Sequence, residues 1–245
     1  MSKVFLSAGH GGKDPGAVAN GLLEKNINLD ILLSCKSELE RHGVTVVCSR
    51  VKDKNDAVGE EVKEANASGA DIAVSFHTNA GGGDGSEAFY HTSSADGKRL
   101  AELGEKYVKA LGQNSRGVKS GNKLAFVKNT KMVAVLFECA FIDNNTDVKI
   151  IDSANERKAF GVAYAKAILE YFGIDYKAES VTISRSFRVK ITDKVSYRSG
   201  PGVSYTAEGN VIGGVFTIVA TSGSWGKLKS GVGWIDLSSP RVRKL

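Results

Sequence analysis

Three apolar runs of strand length constrain this chain more than any other feature. Val4 to Gly12 reads V-F-L-S-A-G-H-G-G, a strand that stops at His10 ahead of two glycines. Asp71 to Phe76, D-I-A-V-S-F, stops at His77, and the strongly apolar Met132 to Phe137 stops at Glu138. Amphipathic segments alternate with these runs. Ile27, Ile31, Cys35 and Leu39 recur at helical spacing within Leu23 to Arg41, and Phe160, Ala163, Tyr164, Ala167, Ile168 and Tyr171 do so within Lys158 to Phe172. Such alternation predicts an α/β fold, a sheet covered on both faces by helices.

The remaining segments keep the same rhythm. Val44 to Ser49 reads as a strand, Asp56 to Ser68 as a polar helix, Ser86 to His91 as a strand, Leu100 to Leu111 as a helix and Lys123 to Val127 as a short strand. From Tyr176 the pattern changes to short alternating strands rich in Ser, Thr and Gly, which predicts a small all-β barrel. The expected organisation is a first domain over 1–174, a linker over 175–183 and a second domain over 184–245. With 245 residues, 42% of them hydrophobic, the chain has material for more than one core.

Charge also separates the two parts. Asp175 to Leu245 carries eleven Lys and Arg against five Asp and Glu, whereas the first 174 residues carry 22 of each, so the net charge of +6 belongs to the C-terminal part. A basic surface suits an acidic polymer or an anionic membrane surface. No apolar run approaches the length of a membrane span, so membrane insertion is not expected. The opening M-S-K-V-F-L-S-A-G lacks a signal peptide's long apolar stretch, so synthesis in the cytoplasm is the expectation. Cys35, Cys48 and Cys139 sit in apolar settings without C-x-x-C spacing and are expected to be small buried hydrophobes.

Four side chains stand out for chemistry. His10, His77 and Glu138 follow strands directly, and Glu24 opens the helix after the first strand, so all four can converge on one sheet edge, where open α/β sheets hold their ligands. Two imidazoles and one carboxylate around an open position form the ligand set of several catalytic zinc sites, which leaves the other carboxylate for proton transfer. Singly, each residue has an ordinary reading: a histidine hydrogen-bonded at a strand end, or, for Glu24, an acid complementing a helix dipole. Glu138 resists that treatment, because a carboxylate closing an apolar strand needs a partner or a metal to offset its desolvation.

Four segments resemble the zinc-dependent N-acetylmuramoyl-L-alanine amidases that cut peptidoglycan: S-A-G-H-G-G-K-D-P-G-A at Ser7 to Ala17, G-L-L-E-K-N at Gly21 to Asn26, V-S-F-H-T-N-A at Val74 to Ala80, and L-F-E-C-A-F-I-D-N at Leu136 to Asn144. The resemblance implies that His10, Glu24 and His77 bind Zn2+, that Glu138 is the catalytic carboxylate, and that the sheet is twisted and mostly parallel. The second domain resembles bacterial SH3-type cell-wall-binding barrels through V-S-Y-R-S-G-P-G-V-S-Y, G-S-W-G-K-L and G-V-G-W-I-D. That resemblance implies peptidoglycan as partner. With the basic balance, exposed Tyr197, Arg198 and Tyr205 would also suit anionic wall polymers, while Trp225 and Trp234 are expected in the core. A wall hydrolase without a signal peptide resembles a phage endolysin that is made in the host cytoplasm and acts after release, and a lytic bacterial autolysin, released by lysis or acting in a spore-forming mother cell, would share that pattern. The alternatives are a zinc endopeptidase or carboxypeptidase of the stem peptide, and a non-catalytic wall-binding protein. Nucleic acid is the weakest partner, since the barrel lacks a series of exposed stacking aromatics.

Overall fold

The structure is a computed structural model that describes residues 2–178, 186–202 and 205–245. Residues 179–183 of the expected linker, and Val203 and Ser204 of the R-S-G-P-G-V-S-Y segment, lie outside the described residues. The chain forms two compact units that meet in sequence at Tyr176 and Lys177.

In chain order the first unit contains β1 (Lys3–Ala8), a small hairpin of β2 (Val18–Ala19) and β3 (Leu22–Leu23), α1 (Glu24–Arg41), β4 (Thr45–Cys48), α2 (Val58–Ala67) and β5 (Ile72–Asn79). It continues with β6 (Ser86–Tyr90), α3 (Ala95–Lys109), β7 (Ser115–Ser120), α4 (Ala125–Asn129), β8 (Val133–Phe141) and α5 (Ala154–Tyr171). Six strands form one sheet in the order β4-β1-β5-β8-β6-β7. The first four are mutually parallel, and β6 pairs antiparallel with β8 while remaining parallel to β7, so the edge pair reverses direction.

Burial alternates along the strands and sends side chains to two different cores. Val4, Leu6, Val74, Phe76, Val135 and Phe137 pack against α1, α3 and α5, with Tyr164 stacked 4.5 Å from Phe137. Phe5, Ala73 and Ala134 face the opposite side, where Ala65 of α2 and Phe126 of α4 cover them. Helices therefore lie on both faces, as the alternation predicted.

Two assignments need correction. Lys123 to Val127 is not a strand: its second half begins α4, and the strand in this region is β7, S-R-G-V-K-S. That segment reads as a loop because it is polar, contains a glycine and lies at the sheet edge, where burial imposes no apolar period. Strands β5 and β8 also run past the expected stops, so His77 and Glu138 lie within strands. The three cysteines are free, with Cys35 and Cys139 buried and Cys48 half-buried.

The second unit is one antiparallel sheet in the order β11-β10-β14-β13-β12-β9-β15. Its strands are β9 (Phe187–Ile191), β10 (Val195–Arg198), β11 (Ala207–Val211), β12 (Gly214–Ser222), β13 (Trp225–Leu228), β14 (Trp234–Asp236) and β15 (Val242–Lys244). Val189, Ile191, Val195, Ile218, Leu228 and Ile235 form its core. The described residues of this unit contain no helix. Trp234 is buried and Trp225 half-buried, whereas Tyr197, Arg198 and Tyr205 are half-buried rather than exposed. The Tyr197 hydroxyl lies over Gly209, the Tyr205 ring over Gly200, and Arg198 Nη1 donates to the Tyr205 carbonyl at 2.6 Å.

Candidate metal centre and active site

The site grows from the carboxyl ends of β1, β5 and β8 and the first residue of α1. In the β5–β8 pair, His77 and Glu138 are register partners, so their side chains emerge side by side on one face of the sheet. His10 lies two residues beyond β1 with φ of 66°, a left-handed conformation that costs a non-glycine residue about 1–3 kcal/mol and persists only where its surroundings impose it. Those surroundings are visible. The Gly9 N–H donates to the Phe76 carbonyl at 3.0 Å, and Arg50 Nε donates to the Ala8 carbonyl at 2.9 Å. Arg50 Nη2 and Asn28 Nδ2 both donate to the Gly9 carbonyl.

Glu24 is the hub. Its Oε2 lies 3.3 Å from His10 Nε2 and accepts the Ala17 N–H at 2.8 Å. Its Oε1 lies 3.0 Å from His77 Nδ1 and accepts the Thr78 N–H at 3.0 Å and Asn28 Nδ2 at 3.2 Å. On the far side of the His10 ring, Nδ1 meets Asp14 Oδ2 at 2.8 Å, which directs Nε2 into the site. Two glycines make this convergence possible. A Cβ on Gly9 would fall 2.2 Å from His77 Nε2, and one on Gly16 would fall 2.5 Å from Glu24 Oε2.

The donor set suits a cation. One ligand atom from each of His10, Glu24 and His77 lies within 4.8 Å of the others, and this is the metal-capable cluster found among the described residues. Hydrogen bonding to Glu24 raises the His10 pKa to about 9, against the opposing effect of burial, with Asp14 adding to the rise. Burial works against ionisation of Glu24, but its bonds to His10 and His77 outweigh that and hold the carboxyl well below the usual range. The field in the site is therefore negative and favours positive charge.

Glu138 completes the group. Its Oε2 is buried without a hydrogen-bond partner. Burial pushes its pKa up to about 7, with the Glu24 and Glu87 charges adding to the rise and His77 opposing it. Glu87 is its register partner on β6 and is held by Lys119 at 2.7 Å and by Arg116, both from β7.

All four residues expected to carry chemistry thus come together. Sequence reasoning missed the residues that hold them: Asp14, Asn28, Arg50, Thr78 and Glu87. Asn28 carried a usable signal, since it follows Glu24 by one helical turn and so shares its face. Asp14 stood four residues from His10 in a turn-rich loop, whereas nothing local marks Glu87, whose role depends on a reversed edge strand.

Comparison with known proteins places this geometry. Residues 4–170 match the Amidase_3 family, N-acetylmuramoyl-L-alanine amidase. The chain is 37% identical over 175 residues to the N-acetylmuramoyl-L-alanine amidase LytC of Bacillus subtilis (strain 168), covering 69% of this chain but only 35% of LytC. It is 37% identical over 188 residues to the endolysin of Bacillus phage SPP1, covering 73% of this chain and 69% of the endolysin. Among solved structures, the catalytic domain of the amidase CwlV from Bacillus (Paenibacillus) polymyxa var. colistinus superposes with a TM-score of 0.67 at 30% identity, covering 71% of this chain and all of that domain. The chain belongs to the N-acetylmuramoyl-L-alanine amidase family.

Proposed function

We propose that the protein is a zinc-dependent peptidoglycan hydrolase that cleaves the amide between N-acetylmuramic acid and the L-alanine of the stem peptide. The observation that carries this reading is the meeting of His10, Glu24 and His77 beside a buried, unpartnered Glu138 carboxylate oxygen in a chain of this family. His10 Nε2, a Glu24 oxygen and His77 Nδ1 would hold the ion. Bound there, zinc supplies Lewis acidity that makes water a stronger nucleophile near neutral pH and polarises the scissile carbonyl.

Glu138 performs the proton transfers. With a pKa near 7 it can take a proton from the attacking water as the new C–O bond forms, then pass it to the α-amine of L-alanine as the C–N bond breaks. Asp14 fixes the ring of His10, and Asn28 with the Thr78 N–H fixes the Glu24 carboxylate, so the ligand set is held in place before substrate arrives.

The second unit is read as an SH3-type wall-binding barrel, with the part-exposed surfaces of Tyr197, Arg198 and Tyr205 as its first candidate contacts. Likeness to an endolysin favours a phage lysis enzyme, acting on the wall after release from the cytoplasm where it is made. No described helix is long and apolar enough to cross a membrane. Digestion of defined peptidoglycan with and without a chelator, followed by mass analysis, tests the chemistry. The expected products are whole stem peptides with L-alanine at the new N-terminus, formed only without chelator. Cuts within the stem peptide, or new reducing sugars, would refute the assignment.

A further inference from the structure

The outward face of the second unit gathers cations that form no ion pair among the described residues. On β9, Val189 and Ile191 point into the core while Arg188 and Lys190 are exposed. Lys190 is the register partner of Arg243 on β15, so two cations stand directly opposite each other, an arrangement that costs stability in an antiparallel pair. Arg188 is the partner of Thr217 on β12, and the Lys229 N–H donates to the Thr217 carbonyl, which places Lys229 in the same cross-strand row. Lys227 lies two residues earlier on the same side and is exposed.

Five cations thus occupy one face of four neighbouring strands, roughly 14 Å across at a strand spacing of about 4.8 Å. Among the described residues, none of the five forms an ion pair, and the ion pair of this unit joins Arg241 to Asp193. Of the other acidic side chains described in this unit, Asp236 accepts hydrogen bonds from Ser238, and Glu208 is on β11 at the opposite edge of the sheet.

We propose that this face binds the phosphodiester polymers of the bacterial cell wall. The proposal rests on the reading that the enzyme works at the wall, and it extends the contacts beyond Tyr197, Arg198 and Tyr205 to five further cations, Arg198 and Lys227 both being register partners of Trp234. The rows of cations suit a linear chain of repeating monoanionic phosphates. Beside Lys190 and Arg188 stand Val215 and Thr217, and Trp234, the register partner of Lys227, is buried, which leaves no open ring there on which nucleic-acid bases would stack.

The test uses full-length protein carrying Glu138→Gln, so that walls are not digested, and Bacillus subtilis walls either native or stripped of phosphodiester polymers with hydrofluoric acid. At about 0.1 M salt, where the Debye length is about 10 Å, native walls should bind at least tenfold more tightly than stripped ones, with affinity falling as salt rises. The combined variant Arg188→Gln, Lys190→Gln, Lys229→Gln and Arg243→Gln should lose that difference. Arg243→Gln alone, at the sheet edge, should lower affinity in the same direction. In chains that keep Glu138, the same substitutions should leave stem-peptide release from stripped peptidoglycan unchanged, so a failed amidase reading shows separately from failed binding. Equal binding to native and stripped walls, full binding by the combined variant, or tighter binding to duplex DNA than to native walls would overturn the proposal.

Discussion

The two units treat charge in opposite ways. In the first, cations beside the site and between its elements are held by acids of the fold: Lys25 pairs with Asp53, Lys106 with Glu170, Arg157 with Asp30, and Arg116 and Lys119 with Glu87. Arg50, only 2% exposed, donates from Nε and Nη2 to the backbone carbonyls of Ala8, Gly9 and Lys25, next to two proposed ligands. In the second unit the surplus cations stay at the surface, and two of them face each other across a strand pair. Charge builds geometry in one unit and remains available to an outside partner in the other.

The largest expected effect separates the two roles outright. Glu138→Gln keeps the shape of the site but removes the proton acceptor, so turnover should fall on the order of 10² to 10⁴-fold. Zinc content and wall binding should remain unchanged. Stem-peptide release, metal analysis and wall sedimentation on one preparation check all three, and a parallel loss of wall binding would break the division of labour.

A smaller effect probes how the ligand set is held. Asn28 joins Gly9, Glu24 and Thr78 through its amide, and Asn28→Ala removes all three bonds at a fully buried position. Zinc affinity should drop about 10 to 100-fold, as for other outer-shell partners of metal ligands, with competition against a chelator as the readout. Wall binding through the second unit should not move.

Rising pH should also weaken the first unit. With zinc removed by a chelator, His10 carries a raised pKa of about 9 because Glu24 and Asp14 face it. Stability from that pair is fully present below the ordinary histidine value of about 6.5 and is lost as pH rises through about 9. Thermal unfolding of the chelated protein should therefore show the first unit weakening across that window, and His10→Ala should flatten the dependence.

How much of this was legible beforehand follows the same divide between local pattern and long-range pairing. The apolar runs ending at His10, His77 and Glu138 marked the central strands, because burial on both faces favours apolar residues there, with only the small Ser7 and Ser75 as buried exceptions. Glu24 was legible as the first residue of a helix with clear periodicity. The edge strand β7 was not, since S-R-G-V-K-S is polar and is held by pairing with β6. Nor was the α3 start at Ala95, which depends on Ser94 accepting the Gly97 N–H. In the second unit the sequence showed that charge was in excess, but Arg188, Lys190 and Arg243 are brought to one face by register, which the order of residues does not display.

The smallest effect is the sharpest test of the contrast, because it should differ in sign. Arg157 is 15% exposed, bonds Asp30 at 2.7 Å and donates to the carbonyls of Ile151 and Asp152, so Arg157→Gln should destabilise the first unit by about 1 kcal/mol. Arg243→Gln removes one of two like charges facing each other and should stabilise the second unit by roughly 0.2–0.5 kcal/mol at low salt. Near 1 M salt, where the Debye length is about 3 Å, the gain should vanish while most of the Arg157 loss persists, because hydrogen bonds are not screened as bare charges are. Unfolding midpoints for the two variants at both salt concentrations decide it. A loss of stability in Arg243→Gln would mean that this cation is already satisfied within the fold, and the contrast between the units would narrow accordingly.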